Sequence, residues 1–169
     1  SFKAEIAADR NRLERFLSKR TVSEQGLMAQ PFLHLPNVVV HGSRKKDGQT
    51  LGLQGFLVER KFEGLTLSIT PMELPRSFLG KCVYFTELMG IEGPYHFEFL
   101  YDREKRINWF LEINARMGGT TAKVFSLGYD EPGLLLQSFG HDIRVKNTIR
   151  NRTSTSKMAL VKYMIHTMT

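Results

Sequence analysis

The feature that most restricts how this chain can fold is a pair of alternating segments, Tyr95 to Tyr101 and Ile107 to Asn114, joined by the charged stretch Asp102 to Arg106. Successive side chains on a strand point to opposite faces, so the pattern predicts two antiparallel strands. Phe97, Phe99 and Tyr101 share one face of the first strand, and Trp109, Leu111 and Ile113 share one face of the second. The other faces carry His96, Glu98 and Leu100, then Phe110, Glu112 and Asn114. If Asp102 pairs with Asn108, Glu98 lies directly opposite Glu112 and the connection has a common hairpin length.

Two carboxylates and an amide oxygen then converge on one small volume. Like charges opposed across a sheet are unfavourable, so the pair needs a compensating cation or open water. Magnesium suits this donor set, because it takes hard oxygen ligands, commonly one or two carboxylates completed by phosphates and water. A solvent-facing hairpin whose charges alternate outward is the plain alternative. The residues that follow favour an anion partner. Arg116 can bind phosphate oxygens bidentately, and Met117-Gly118-Gly119-Thr120-Thr121 leads through glycines into a helix start.

Elsewhere the sequence predicts α and β elements in separate runs. Ser1 can cap an opening helix carrying Ile6, Leu13, Phe16 and Leu17 at helical spacing. Leu27 to Leu33 reads as a strand interrupted by Pro31. Val38 to Val40, Leu51 to Arg60 and Leu65 to Thr70 read as an antiparallel meander with a turn at Lys46-Asp47-Gly48. Pro75 opens a helix whose residues Phe78, Leu79, Cys82, Val83, Phe85, Leu88 and Met89 predict a broad buried face ending at Gly90. Thr120 or Thr121 can cap a helix to about Leu127, and Glu131 to Phe139 supplies another. The expected fold class is therefore α+β, an antiparallel sheet with packed helices.

A chain of 169 residues, 41% hydrophobic, suffices for one substantial core. It lacks a secretory signal pattern and any apolar run long enough to span a bilayer, and its single cysteine, Cys82, excludes an internal disulfide. Cytoplasmic residence is the expectation, with Cys82 a buried structural thiol. The net charge of +7 is partly concentrated in Arg144, Lys146, Arg150, Arg152 and Lys157. That segment is compatible with anionic ligands, with nucleic acid, or with a solvated tail. His96 and His41 have ordinary structural readings beside functional ones. Phe97, Phe99, Trp109 and Phe110 are assigned to core packing, since the basic and glycine pattern of an RNA-binding sheet does not surround them.

The string Phe110-Leu111-Glu112-Ile113-Asn114-Ala115-Arg116 closely resembles the magnesium- and phosphate-binding motif of ATP-grasp enzymes, with Glu98 in the place of the acidic or amide residue on the neighbouring strand. Ala115 stands where the motif usually has proline. Met28-Ala29-Gln30-Pro31-Phe32-Leu33 resembles the strand that contacts adenine. The order of elements from Leu53 to Gly90 is similar to carbamoyl-phosphate-synthetase-like members, so the resemblance spans roughly residues 1 to 140; it places Arg60, Lys61 and Glu63 where the family often meets phosphate or ribose, and an exposed charged strand end is an equal reading of them.

The resemblance implies an ATP-dependent carboxylate-amine ligase that uses ATP with magnesium or manganese. Glu98, Glu112 and Asn114 would be metal ligands, Arg116 would stabilise the transferring phosphate, and Gln30, Pro31, Phe32, Leu33, Gly118 and Gly119 would contact the nucleotide. It divides the chain into 1–33, the end of a first subdomain with its adenine-contacting linker; 34–140, the metal- and phosphate-binding subdomain; and 141–169, a basic segment. A substrate-side domain, a nucleotide-binding lysine and a glycine-rich loop are expected outside these residues, in the same chain or a separate one, so this chain reads as a fragment or one lobe. The expected partners are a small carboxylate and an amine or ammonia, with a homodimer left open and neither membrane nor nucleic acid called for. The alternative is a catalytically silent nucleotide-binding or assembly module of the same shape.

Overall fold

A computed structural model describes residues 6–18, 29–62 and 64–155. The chain divides into two units, Ser1–His34 and Leu35–Thr169. In the first, helix α1 spans Arg10–Ser18. It begins later than the sequence predicts because Asp9 caps it, its carboxylate accepting from the Arg12 amide at 2.7 Å. Ile6 and Ala7 lie ahead of the helix, and the Ser1 cap falls outside the described residues. Residues 29–36 form no strand, so the strand expected over Leu27–Leu33 is absent from its described part. Pro31 and Pro36 each remove a ladder donor there.

The second unit is built on an antiparallel sheet. Its strands are β1 (Asn37–Arg44), β2 (Thr50–Phe62), β3 (Leu65–Met72), β4 (Gly93–Asp102), β5 (Ile107–Asn114) and the short β6 (Ser154–Thr155), in the order β5-β4-β1-β2-β3-β6. The meander β1–β2–β3 is as predicted. Its first turn closes through Lys45 N to Gln49 O at 2.9 Å, with Gly48 at φ 90° where a side chain would be strained. Between β3 and β4 lies α2 (Arg76–Leu88), and this connection carries the chain to the far side of β1, so β1 becomes a central strand between β2 and β4. Central placement explains its run of buried residues from Asn37 to Ser43.

Each face of the sheet has its own core. Val38, Val40, Phe97 and Phe99 pack with Cys82 of α2 on one side. Val39, Phe56, Val58 and Ile69 pack on the other with Val124, Leu127, Tyr129 and Leu134, which belong to α3 (Thr121–Ser126), α4 (Glu131–Ser138) and the turn between them. Asp130 caps α4 by accepting from the Gly133 amide at 3.0 Å.

Two expectations need correction. Helix α2 is not mostly core: only Cys82 and Thr86 are buried, while Tyr84, Phe85, Leu88 and Met89 are exposed. A helix lying on one sheet face buries one stripe, and apolar residues around most of its circumference do not say which. Residues 141–155 are also not a solvated tail. Thr148 N donates to Gly128 O at 3.0 Å, Arg150 N to Leu127 O at 2.7 Å, and Val145 and Ile149 pack on the core while Arg144 and Lys146 face water. Lys157 lies outside the described residues.

Burial pushes the Cys82 thiol up to about 12, so no thiolate forms near neutrality. Cys82 should therefore resist a thiol reagent at pH 8 in the folded protein and react within seconds once denatured. Rapid labelling of native protein would contradict the packing of α2.

Candidate functional site

Strand β5 lies at the edge of the sheet, and its register against β4 brings the motif together. Asp102 pairs with Ile107 and Tyr101 with Asn108, one residue away from the predicted pairing. A bulge between Glu98 and Phe99 then absorbs one extra residue on β5, so that Glu98 faces Glu112 after all. The bulge also changes the faces. Phe110 pairs with Phe99 and packs toward α2, its ring 5.8 Å from Phe85, rather than sharing the face of Glu112. Trp109, predicted to be core, instead pairs with Leu100 on the Glu98 face and is 44% exposed. No composition signal marks a bulge here, so period-2 counting misassigned these two aromatics.

On this face the polar groups form a connected row. Asn114 Nδ2 donates to Glu112 Oε1 at 2.8 Å, and Arg116 donates to Asn114 Oδ1 at 3.2 Å and to the Met117 carbonyl at 3.1 Å. Lys61, from the end of β2, donates to Glu98 Oε2 at 3.1 Å. Glu112 and Arg116 are exposed and Glu98 half-buried. The two opposed carboxylates are thus eased by one ammonium, one amide and water, which is the condition that a cross-strand acidic pair imposes. Two carboxylates and an amide oxygen suit a hard divalent cation that shares its shell with phosphate. Among the described residues no group of three or more His, Cys, Asp or Glu is placed to hold a metal.

The loop after Arg116 is shaped by a buried network that the sequence reading did not assemble. His41 Nδ1 lies 2.9 Å from Glu131 Oε1 and its Nε2 lies 3.0 Å from Thr120 Oγ1. Thr121 Oγ1 donates to Glu131 Oε2 and accepts from the Gly118 amide. His96 stacks on His41, with ring centroids 5.3 Å apart, and its Nδ1 lies 3.3 Å from the Arg116 carbonyl oxygen. A Cβ on Gly118 would stand 2.4 Å from that His96 ring, so glycine is required for close approach rather than for an unusual φ. His41, His96 and Asn114 are directly paired across β1, β4 and β5, which is why the network sits against the motif. Thr120 therefore serves His41 rather than capping α3, and α3 has only 6 residues, so the expected helix-start anion site reduces to loop amides near Arg116. Sequence showed each histidine as lone; only strand pairing shows them stacked.

Burial works to raise the Glu131 carboxyl, but the hydrogen bond and charge of His41, with the Thr121 hydroxyl, outweigh it and hold the group below its usual 4.5. Burial, then His41, lowers His96 from 6.5. Gln30, Pro31, Phe32 and Leu33 belong to the first unit, with Phe32 exposed. A separate cleft of about 740 Å³, lined by Lys45, Lys46, Gln137, Phe139 and His141, contains none of the motif residues.

Solved structures share the fold. The chain superposes on a phosphoribosylaminoimidazole carboxylase ATPase subunit from Aquifex aeolicus with a TM-score of 0.60 at 17% identity, covering 82% of this chain and 48% of that one. It also matches the biotin carboxylase domain of 2-oxoglutarate carboxylase from Hydrogenobacter thermophilus, solved as a dimer with MgADP, ADP and bicarbonate, at a TM-score of 0.56, 16% identity, and 72% and 29% coverage. A Campylobacter jejuni biotin carboxylase complex gives 0.54, 15%, 72% and 29%. The likeness is one of fold. The chain spans about half the length or less of these structures. No protein-family model and no curated protein matches the sequence, and no helix among the described residues is long and apolar enough to cross a membrane.

Folded Glu131 takes up its proton less readily than it does in the unfolded chain. It therefore contributes stability above about pH 4.5, and that contribution is lost as the pH falls through the lowered value. Glu131→Gln should cost about 1–3 kcal/mol at pH 7. The gap in Tm between the wild type and this variant should narrow as the pH falls below 4.5. A gap independent of pH would contradict a carboxylate held by His41 and Thr121.

Proposed function

We propose that this chain is the metal- and phosphate-binding segment of an ATP-dependent ligase that activates a carboxylate as an acylphosphate for attack by an amine or ammonia. The observation that carries the reading is the placement of Glu98 directly opposite Glu112, with Asn114 and Arg116 continuing the row on the same face. The ATP-grasp fold of the neighbours supports it, as does the MgADP and bicarbonate bound by one of them.

Glu98, Glu112 and Asn114 would hold magnesium or manganese between them and the ATP phosphates. When bound, the metal supplies neutralisation of charge on the phosphate oxygens. Arg116 adds a fixed planar cation for the transferring phosphate, beside the backbone of residues 117–119. A substrate carboxylate oxygen then attacks the γ-phosphorus and ADP leaves. The amine attacks the acyl carbon, the carbon–oxygen bond to phosphate breaks, and the nitrogen loses a proton. Positioning and charge stabilisation account for such a reaction without a protein nucleophile. Gln30, Pro31, Phe32 and Leu33 are assigned to the adenine, and the acid-binding part of the enzyme to residues outside this segment.

Trp109 provides the readout. It is the sole tryptophan of the sequence and shares the face of Glu98, so binding of MgADP should change its fluorescence saturably. Glu112→Gln should weaken that binding by about 10-fold or more, the scale on which loss of a ligand-shell group acts, and abolish ATP consumption by the intact protein. Unchanged ATP consumption in Glu112→Gln would remove the ligase reading.

A further inference from the structure

Lys61 is remote from the motif in sequence yet bonds one of its carboxylates. It stands at the end of β2, just beyond two register irregularities against β3, and its side chain reaches Glu98 on β4, two strands away in the sheet order. The ammonium donates to Glu98 Oε2 at 3.1 Å, with the lysine about one-third exposed. The other charges of the row are committed elsewhere: Glu112 accepts from Asn114, and Arg116 donates to Asn114 and to Met117 O.

A divalent cation drawn to Glu98 and Glu112 meets this ammonium on one of its two carboxylates. Two positive charges a few ångströms apart repel, and the oxygen that accepts from Lys61 cannot be given fully to a second cation. A polyphosphate changes the balance. Its negative charge offsets the crowding, and an ammonium with three donors on a flexible stem can turn from a carboxylate to a phosphate oxygen. We propose that Lys61 makes divalent-cation binding at the Glu98–Glu112 pair conditional on a nucleoside polyphosphate, competing with the metal for Glu98 alone and pairing with phosphate once the nucleotide is present. The proposal rests on the metal reading of the preceding subsection.

The test is Mn²⁺ binding to the full chain, followed by electron paramagnetic resonance of the free ion at fixed ionic strength, with and without ADP. Lys61→Met should bind Mn²⁺ alone about 5-fold or more tightly than the wild type, and the enhancement that ADP gives should shrink by a similar factor. Lys61→Arg, which keeps the charge, should restore wild-type coupling. A partly exposed ion pair contributes little to folding, and circular dichroism checks that the variants remain folded. Mn²⁺ affinity unchanged or weaker in Lys61→Met, or an ADP enhancement that it retains in full, would overturn the proposal. Glu98→Gln separates the two levels. If it leaves wild-type Mn²⁺ binding intact, the metal reading itself fails; if it weakens binding while Lys61→Met has no effect, only the role of Lys61 fails.

Discussion

Opposed carboxylates on neighbouring strands repel unless something positive or wet lies between them, and the site can be read as the set of answers to that repulsion. Glu98 and Glu112 are brought face to face by one bulge in the β4–β5 ladder. Lys61 partners the first and Asn114 the second, while the edge position of β5 leaves Glu112 in water. Without the bulge, Glu112 would stand out of register with Glu98 and turn toward the α2 face, and the two carboxylates would not converge at all. A side-chain period of two makes the site sensitive to a single residue.

Behind this open row lies its opposite, a closed polar network. His41 and Glu131 are fully buried, and every hydrogen-bonding atom of the pair's facing ends is engaged by Thr120, Thr121 or the partner itself. Such groups are costly when unpaired and rigid when satisfied. They fix the loop that carries Arg116 onward, and His96 completes the support from β4 by lying over Gly118. The exposed row can therefore exchange ions while the loop beside it keeps its shape.

Much of this was legible beforehand, for physical reasons that differ by element. The meander and the β4–β5 hairpin follow from alternation and turn chemistry, and the spacing of Glu112 and Asn114 puts both on one face whatever the partner strand does. Glu98 came out opposite Glu112 only because a turn one residue tighter than expected and an unforeseen bulge cancelled. Phe110 and Trp109 show the price of that cancellation, since each lies on the face opposite its predicted one. The His41–Glu131–Thr120 network joins residues about 80 to 90 positions apart, and no local pattern encodes such a pairing. The bond from Lys61 to Glu98 is hidden for the same reason, since it joins residues 37 positions apart on strands that are not neighbours. The exposed apolar side of α2 was hidden by composition, which makes a helix apolar all round look like core.

The central claim is that Glu98, Glu112 and Asn114 form the divalent-cation and phosphate site. The most direct measurement is paramagnetic broadening by MnADP in the amide spectrum of the isotopically labelled chain. The signals of Glu98, Glu112, Asn114 and residues 116–119 should vanish first, with those of Cys82 and Thr86 on the α2 face persisting. Broadening centred on the Lys45–His141 cleft, or spread evenly over the surface, would contradict it.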